Sequence, residues 1–275
     1  MTVRIALAQQ TASQNIAENL QRLLRTMDEA KSRGTDLFCV PELALLPFFP
    51  QHERFLGAAK LAEPIPGPTA DRIASKAAEL GMVTVFNMYE SAGDQCFDSS
   101  PVFDADGSLL GVTRMVHITD YVCFHERAYY AEGDLGAPVY ETRVGKIGVA
   151  ICYDRHFPEY MRALGVRGAE LVVIPQAGAL DEWPEGMYEA EVRTAAFQNG
   201  YFAALCNRVG EEERLTFAGE SFVVGPTGKV LTRGARLDED LLIVDFDLSE
   251  CATSPARSLF MRDRRPELYR DWITP

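Results

Sequence analysis

The chain has 275 residues, a formal net charge of -13, 47% hydrophobic residues and 24% charged residues, the balance of an ordinary globular protein with length enough for a substantial core. That charge excludes a general nucleic-acid binder, which needs a clustered basic face against phosphate, and reads instead as a solvated acidic surface. No apolar run approaches the roughly 18 residues of a membrane span, and the run at 3–8 is too short for a signal-peptide core.

From the first residues onward, short apolar runs alternate with amphipathic stretches. Residues 3–8 read as a strand; Ile16, Leu20, Leu23, Leu24 and Met27 then recur at helical spacing, with Gly34 as the stop. A buried strand at 36–40 ends at Pro41-Glu42. A helix at 70–80 stops at Gly81, and a strand follows at 82–87. The runs 96–103 and 109–118 flank Ala-Asp-Gly, a hairpin signal. Residues 146–152 form another apolar strand, with a helix at 158–166 and a strand at 171–174 after it. A helix at 187–198, a strand at 201–206, two strands around Pro-Thr-Gly (221–225 and 229–231) and a late strand at 241–246 complete the series. With no linker tract and no repeat, one α/β domain over 1–275 with mixed strand pairing is expected, its last stretch 254–275 an ordered arm rich in Arg and aromatic residues.

Six cysteines (39, 96, 123, 152, 206 and 251) form no CxxC pair, which points to reduced thiols in a cytoplasm and against a thiol redox protein. The four histidines stand in no zinc pattern, so no metal and no cofactor is expected.

Three strand ends carry chemistry. Cys39-Val-Pro-Glu42 places a carboxylate just past a buried strand, where α/β folds favour functional groups, although a solvated loop carboxylate has the same pattern. In Gly148-Val-Ala-Ile-Cys152-Tyr-Asp-Arg-His-Phe-Pro-Glu159 a strand runs into a cysteine, a polar turn and a helix start. A thiol there meets backbone N–H groups that lower its pKa and hold an oxyanion; an inert buried cysteine is the alternative, and it describes Cys39 and Cys206 better. The third is Glu126, in the aromatic loop from Tyr121 to Asp134.

In order and wording these segments resemble the nitrilase (carbon–nitrogen hydrolase) superfamily over nearly the whole chain. Pro41-Glu42 is similar to its base segment, 148–159 to its nucleophile elbow, and Phe124-His-Glu126 through Gly133-Asp134 to the loop of its second glutamate. Asn207-Arg-Val-Gly210, Gly219-Glu-Ser-Phe222, Gly225-Pro-Thr-Gly228 and Arg264-Arg-Pro-Glu-Leu-Tyr269 match further family segments. The resemblance implies a four-layer α-β-β-α sandwich with mixed sheets, assembled as a homodimer or larger homo-oligomer. It implies Cys152 as nucleophile, Glu42 as general base, Glu126 positioning the base or the leaving nitrogen, and the Tyr153 backbone N–H as an oxyanion donor. The substrate implied is a small amide or N-carbamoyl compound, with the ureidopropionase and N-carbamoyl amino acid hydrolase branches nearest in wording. Arg155 either reads a substrate carboxylate with its planar fork or serves as a structural ion-pair partner. One position departs: the family's catalytic lysine falls on Met115, in Thr113-Arg114-Met115-Val116-His117. Met115 is expected to line the pocket, and its thioether has no proton to donate. That departure sustains a second expectation, a catalytically impaired protein that binds a small ligand or a partner.

Overall fold

The structure is a computed structural model in which residues 2–273 are described. Its first strand, β1 (Thr2–Gln9), is buried from both sides: Val3, Ile5 and Leu7 face one apolar cluster while Ala6 and Ala8 face another. A strand alternates its side chains, so a run that is apolar at every position belongs between two packed layers. Helix α1 (Ile16–Ser32) starts where the Asn15 side chain accepts a hydrogen bond from the Glu18 N–H, and it buries the stripe Asn19, Leu23, Met27 and Ala30.

The remaining strands of the first half are β2 (Leu37–Cys39), β3 (Val83–Val85), β4 (Met88–Ala92), β5 (Gln95–Phe103) and β6 (Leu109–Arg114), with α2 (Pro68–Leu80) before β3. The second half supplies β7 (Val139–Thr142), β8 (Gly145–Val149), α3 (Pro158–Val166), β9 (Leu171–Gln176), α4 (Met187–Asn199), β10 (Phe202–Asn207), β11 (Val209–Glu211), β12 (Thr216–Ala218), β13 (Phe222–Val224), β14 (Val230–Arg233) and β15 (Asp240–Asp247). They assemble as a seven-stranded sheet, β15-β1-β2-β3-β5-β4 with β6 on β5, and a six-stranded sheet, β14-β13-β10-β9-β8-β7. Each has three parallel strands at its centre: β1, β2 and β3 in the first, β8, β9 and β10 in the second.

The two sheets pack face to face. Ile5 and Leu7 from β1 share a core with Val173 from β9 and Phe202 and Ala204 from β10. The outer face of the first sheet is covered by α1 and α2 through Leu23, Met27, Ile73 and Ala77, and that of the second by α3 and α4 through Met161, Leu164, Val192 and Ala196. This is the α-β-β-α sandwich with mixed sheets.

The strands β4, β7, β11 and β12 are absent from the sequence-based expectation, and three expected strands end earlier than their apolar runs. The strand expected to run to 118 stops at Arg114, because the Met115 N–H bonds Asp98 O and the next two N–H groups turn to the Asp154 carboxylate. The strand expected at 82–87 ends at Val85, and Asn87 turns the chain back into β4 while its side-chain oxygen accepts from Leu43 N–H at 2.6 Å. The strand expected to reach Cys152 stops at Val149. Beyond β15 the chain forms short helical turns at Glu250–Thr253 and Ala256–Phe260 and a helix at Pro266–Ile273; the last two residues of the arm, 274–275, lie outside the described residues.

Candidate active site

Parallel strands leave their carboxyl ends on one edge of each sheet, and the functional groups gather there. After β8 the chain turns at Cys152, whose φ of 42° lies in the left-handed region that a residue with a β-carbon occupies only at a cost of about 1–3 kcal/mol. A 3-10 turn, Cys152–His156, carries it into α3. Arg155 braces this elbow from beneath: its NH1 donates to Cys152 O at 2.8 Å and to Gln176 Oε1 at 2.7 Å. Gln176, at the end of β9, in turn donates its Nε2–H to Cys152 Sγ at 3.3 Å. The guanidinium also sits 4.5 Å over the ring of Tyr188 and 3.5 Å from Glu191.

Glu42 stands in the turn after β2. Arg208, fully buried, holds that turn by donating to the carbonyls of Glu42 (2.9 Å), Leu43 (2.8 Å) and Leu46 (2.9 Å). Glu126 opens a 3-10 turn, Glu126–Ala128, in the aromatic loop, tied down where His125 N–H donates to Pro50 O at 2.8 Å. From these three separate segments a carboxylate oxygen of Glu42, one of Glu126 and Cys152 Sγ come within 4.8 Å of one another, all buried. Among the described residues this is the group of metal-ligand-type atoms gathered so closely.

Burial governs the electrostatics, and the charges of Arg208 on Glu42 and Arg155 on Cys152 rank below it. Desolvation, then the neighbouring Glu126, pushes the Glu42 carboxyl up to about 8. Glu126 is raised well above the carboxylate range by burial and by Asp98. Burial first, then the two glutamates, drives the Cys152 thiol well up, with Arg155 opposing. In place of the lowering expected from the elbow's N–H groups, burial beside two carboxyls pushes Cys152 toward the neutral thiol.

Met115 is wholly buried in the core between the sheets. Arg114 points the other way, as strand alternation requires, its guanidinium paired with Glu90 at 2.6 Å and Asp134 at 2.9 Å. His117 donates toward the buried Asp154 carboxylate through Nδ1 at 2.7 Å and stacks on Phe157 at 3.6 Å, so it is no substitute for a lysine. Arg155 is 4% exposed and its NH1 holds the elbow, as the structural alternative requires, while its NH2 has no hydrogen-bond partner. Tyr153 directly follows Cys152 on the elbow, its ring against His156 and Phe157. Sequence reasoning missed Asn87, Asp98, Asp154, Gln176 and Arg208, polar residues in or beside strands whose burial no local pattern reveals. It also missed Glu182, which accepts hydrogen bonds from the Tyr121 and Tyr188 hydroxyls and from the Ala179 N–H at 3.0 Å.

Comparison with known proteins places this geometry among relatives. The carbon-nitrogen hydrolase family model matches residues 4–256. N-carbamoylputrescine amidase of Solanum lycopersicum is 32% identical over 99% of this chain and 95% of its own length. Citrullinase of Francisella tularensis is 30% identical over 98% of both chains. The crystal structure of a carbon-nitrogen hydrolase from Helicobacter pylori G27 superposes with a TM-score of 0.93 at 29% identity, covering 100% of this chain and 99% of that one.

Proposed function

We propose that this chain, which belongs to the carbon–nitrogen hydrolase family and is an amidohydrolase of non-peptide C–N bonds, works through a thioester at Cys152. The observation that supports the reading is the convergence of Glu42, Glu126 and the Cys152 sulfur within 4.8 Å from segments far apart in the chain. Ionised Glu42 takes the thiol proton as the sulfur attacks the carbonyl carbon of an amide or ureido group. The oxyanion forms beside the Tyr153 backbone N–H. The proton passes from Glu42 to the leaving nitrogen, which Glu126 orients, and ammonia or amine departs. A water deprotonated by Glu42 then attacks the thioester and releases the acid with the free thiol.

For the substrate, the relatives named for N-carbamoylputrescine and citrulline favour a carbamoyl or amide group on a small carrier. Its tail carries a cationic or neutral group, with or without a carboxylate beside it. The Glu182 carboxylate, near enough to raise Glu126, supports a cationic group on that side. Ammonia release from a panel of neutral amides, N-carbamoyl amino acids and N-carbamoyl diamines, run beside Cys152→Ala, tests this. Turnover of amides or carbamoyl diamines by the wild type alone is the expected result. No turnover of any of them, or equal turnover by the alanine variant, would favour the ligand-binding alternative that Met115 suggests.

A further inference from the structure

The site carries one more acid than the reading above uses. Asp98, on β5, is fully buried. Its Oδ1 accepts from Asn87 Nδ2 at 2.6 Å, while Oδ2 has no donor. The Asp98 and Glu42 carboxyls are hydrogen-bond neighbours, and the other side chain that bonds Glu42 is the Cys152 thiol. Two carboxylates cannot lie together, buried, with no proton between them, because their repulsion adds to the cost of desolvating each.

We propose that Asp98 is a positioning residue: a protonated carboxyl that donates its hydrogen bond to Glu42 and so holds the base in place. The groups around the pair leave Asp98 as the proton holder. Glu126 and Tyr130 face it from the aromatic loop and Asp154 from the elbow; acids or phenol, they offer it no positive charge. Arg208 donates to the backbone of the Glu42 turn and to Glu212, its charge ranking last among the influences on Glu42, and Arg155 donates to Cys152 O. Asn87, anchored to Leu43 N–H through its oxygen, turns its N–H toward Asp98 Oδ1, which fixes Oδ2 as the side that carries the proton. The directions agree: contact with Asp98 lowers Glu42, whereas contact with Glu42 raises Asp98. Hydrogen-bond donation to a carboxylate favours its ionised form, the form needed to accept the thiol proton.

The proposal rests on Glu42 being the base for Cys152, and it is tested without any substrate, by the pH dependence of Cys152 alkylation with iodoacetamide, read by mass spectrometry. Asp98→Ala removes the donor, so the midpoint should rise by about one pH unit, slowing alkylation below it roughly tenfold. Asp98→Asn keeps an acceptor for Asn87 and an N–H for Glu42, and should hold the midpoint near that of the wild type. Where the alanine variant does not melt cooperatively, Asp98→Leu carries the same expectation. An unmoved midpoint in the variants without a donor, or an asparagine variant displaced as far as they are, would overturn the proposal. A profile indifferent to Glu42→Gln would overturn the base assignment and this proposal with it, whatever the substrate panel reports.

Discussion

At the scale of single residues, one carboxyl sets two opposite pH dependences. Glu42 is raised from an ordinary value near 4.5 to about 8 because it is buried beside Glu126. The folded protein therefore keeps a proton that the unfolded chain releases near pH 4.5, and the stability this contributes is complete below that pH and lost as pH rises through about 8. Catalysis needs the ionised form, so kcat/KM should climb about tenfold per pH unit on the acid side and level off near 8. Thermal melts and a pH–rate profile collected together check the pair of trends. A rate that falls between neutral pH and 8 would contradict the assignment of Glu42 as base.

At the scale of elements, the elbow and the segment that follows β6 are one construction. Asp154, buried at the end of its turn, accepts from Val116 N–H at 3.2 Å, His117 N–H at 3.0 Å and His117 Nδ1 at 2.7 Å. These bonds pull residues 115–118 out of β6, press Met115 into the core and join the nucleophile's turn to the other sheet. Asp154→Ala leaves two backbone donors unpaired and a void, which should cost roughly 2–4 kcal/mol and lower Tm by several degrees. Differential scanning calorimetry measures it, and an unchanged Tm would show that the tie is not structural. The sequence placed a hairpin here but ran its second strand on to 118. The bond that ends the strand comes from a residue 38 positions downstream of Val116, out of reach of any local pattern.

At the scale of the whole molecule, α3, α4 and the C-terminal arm pack together, with Phe197 on Phe260 at 5.4 Å and Arg162 on the Met261 sulfur at 3.0 Å. That region leaves Val166, Met187, Leu259 and Trp272 exposed. A run of apolar groups this size is better covered than left in water, so at least a homodimer is expected. Light scattering at micromolar concentration checks it, and a monomer mass would contradict it. What the sequence determined by itself was the alternation of the main strands and helices, the four-layer architecture through family wording, and Glu42, Glu126 and Cys152 as the residues of interest; the strands β4, β7, β11 and β12 escaped it. Apolar period and segment wording are written along the chain and survive without coordinates. Only the tertiary structure decided which polar groups share one buried volume. Asp98 joins Glu42, Gln176 touches the sulfur, Arg155 turns inward, and the thiol is raised rather than lowered. Desolvation and charge–charge distance have no counterpart in local sequence, because they depend on what the other sheet brings to within a few ångströms.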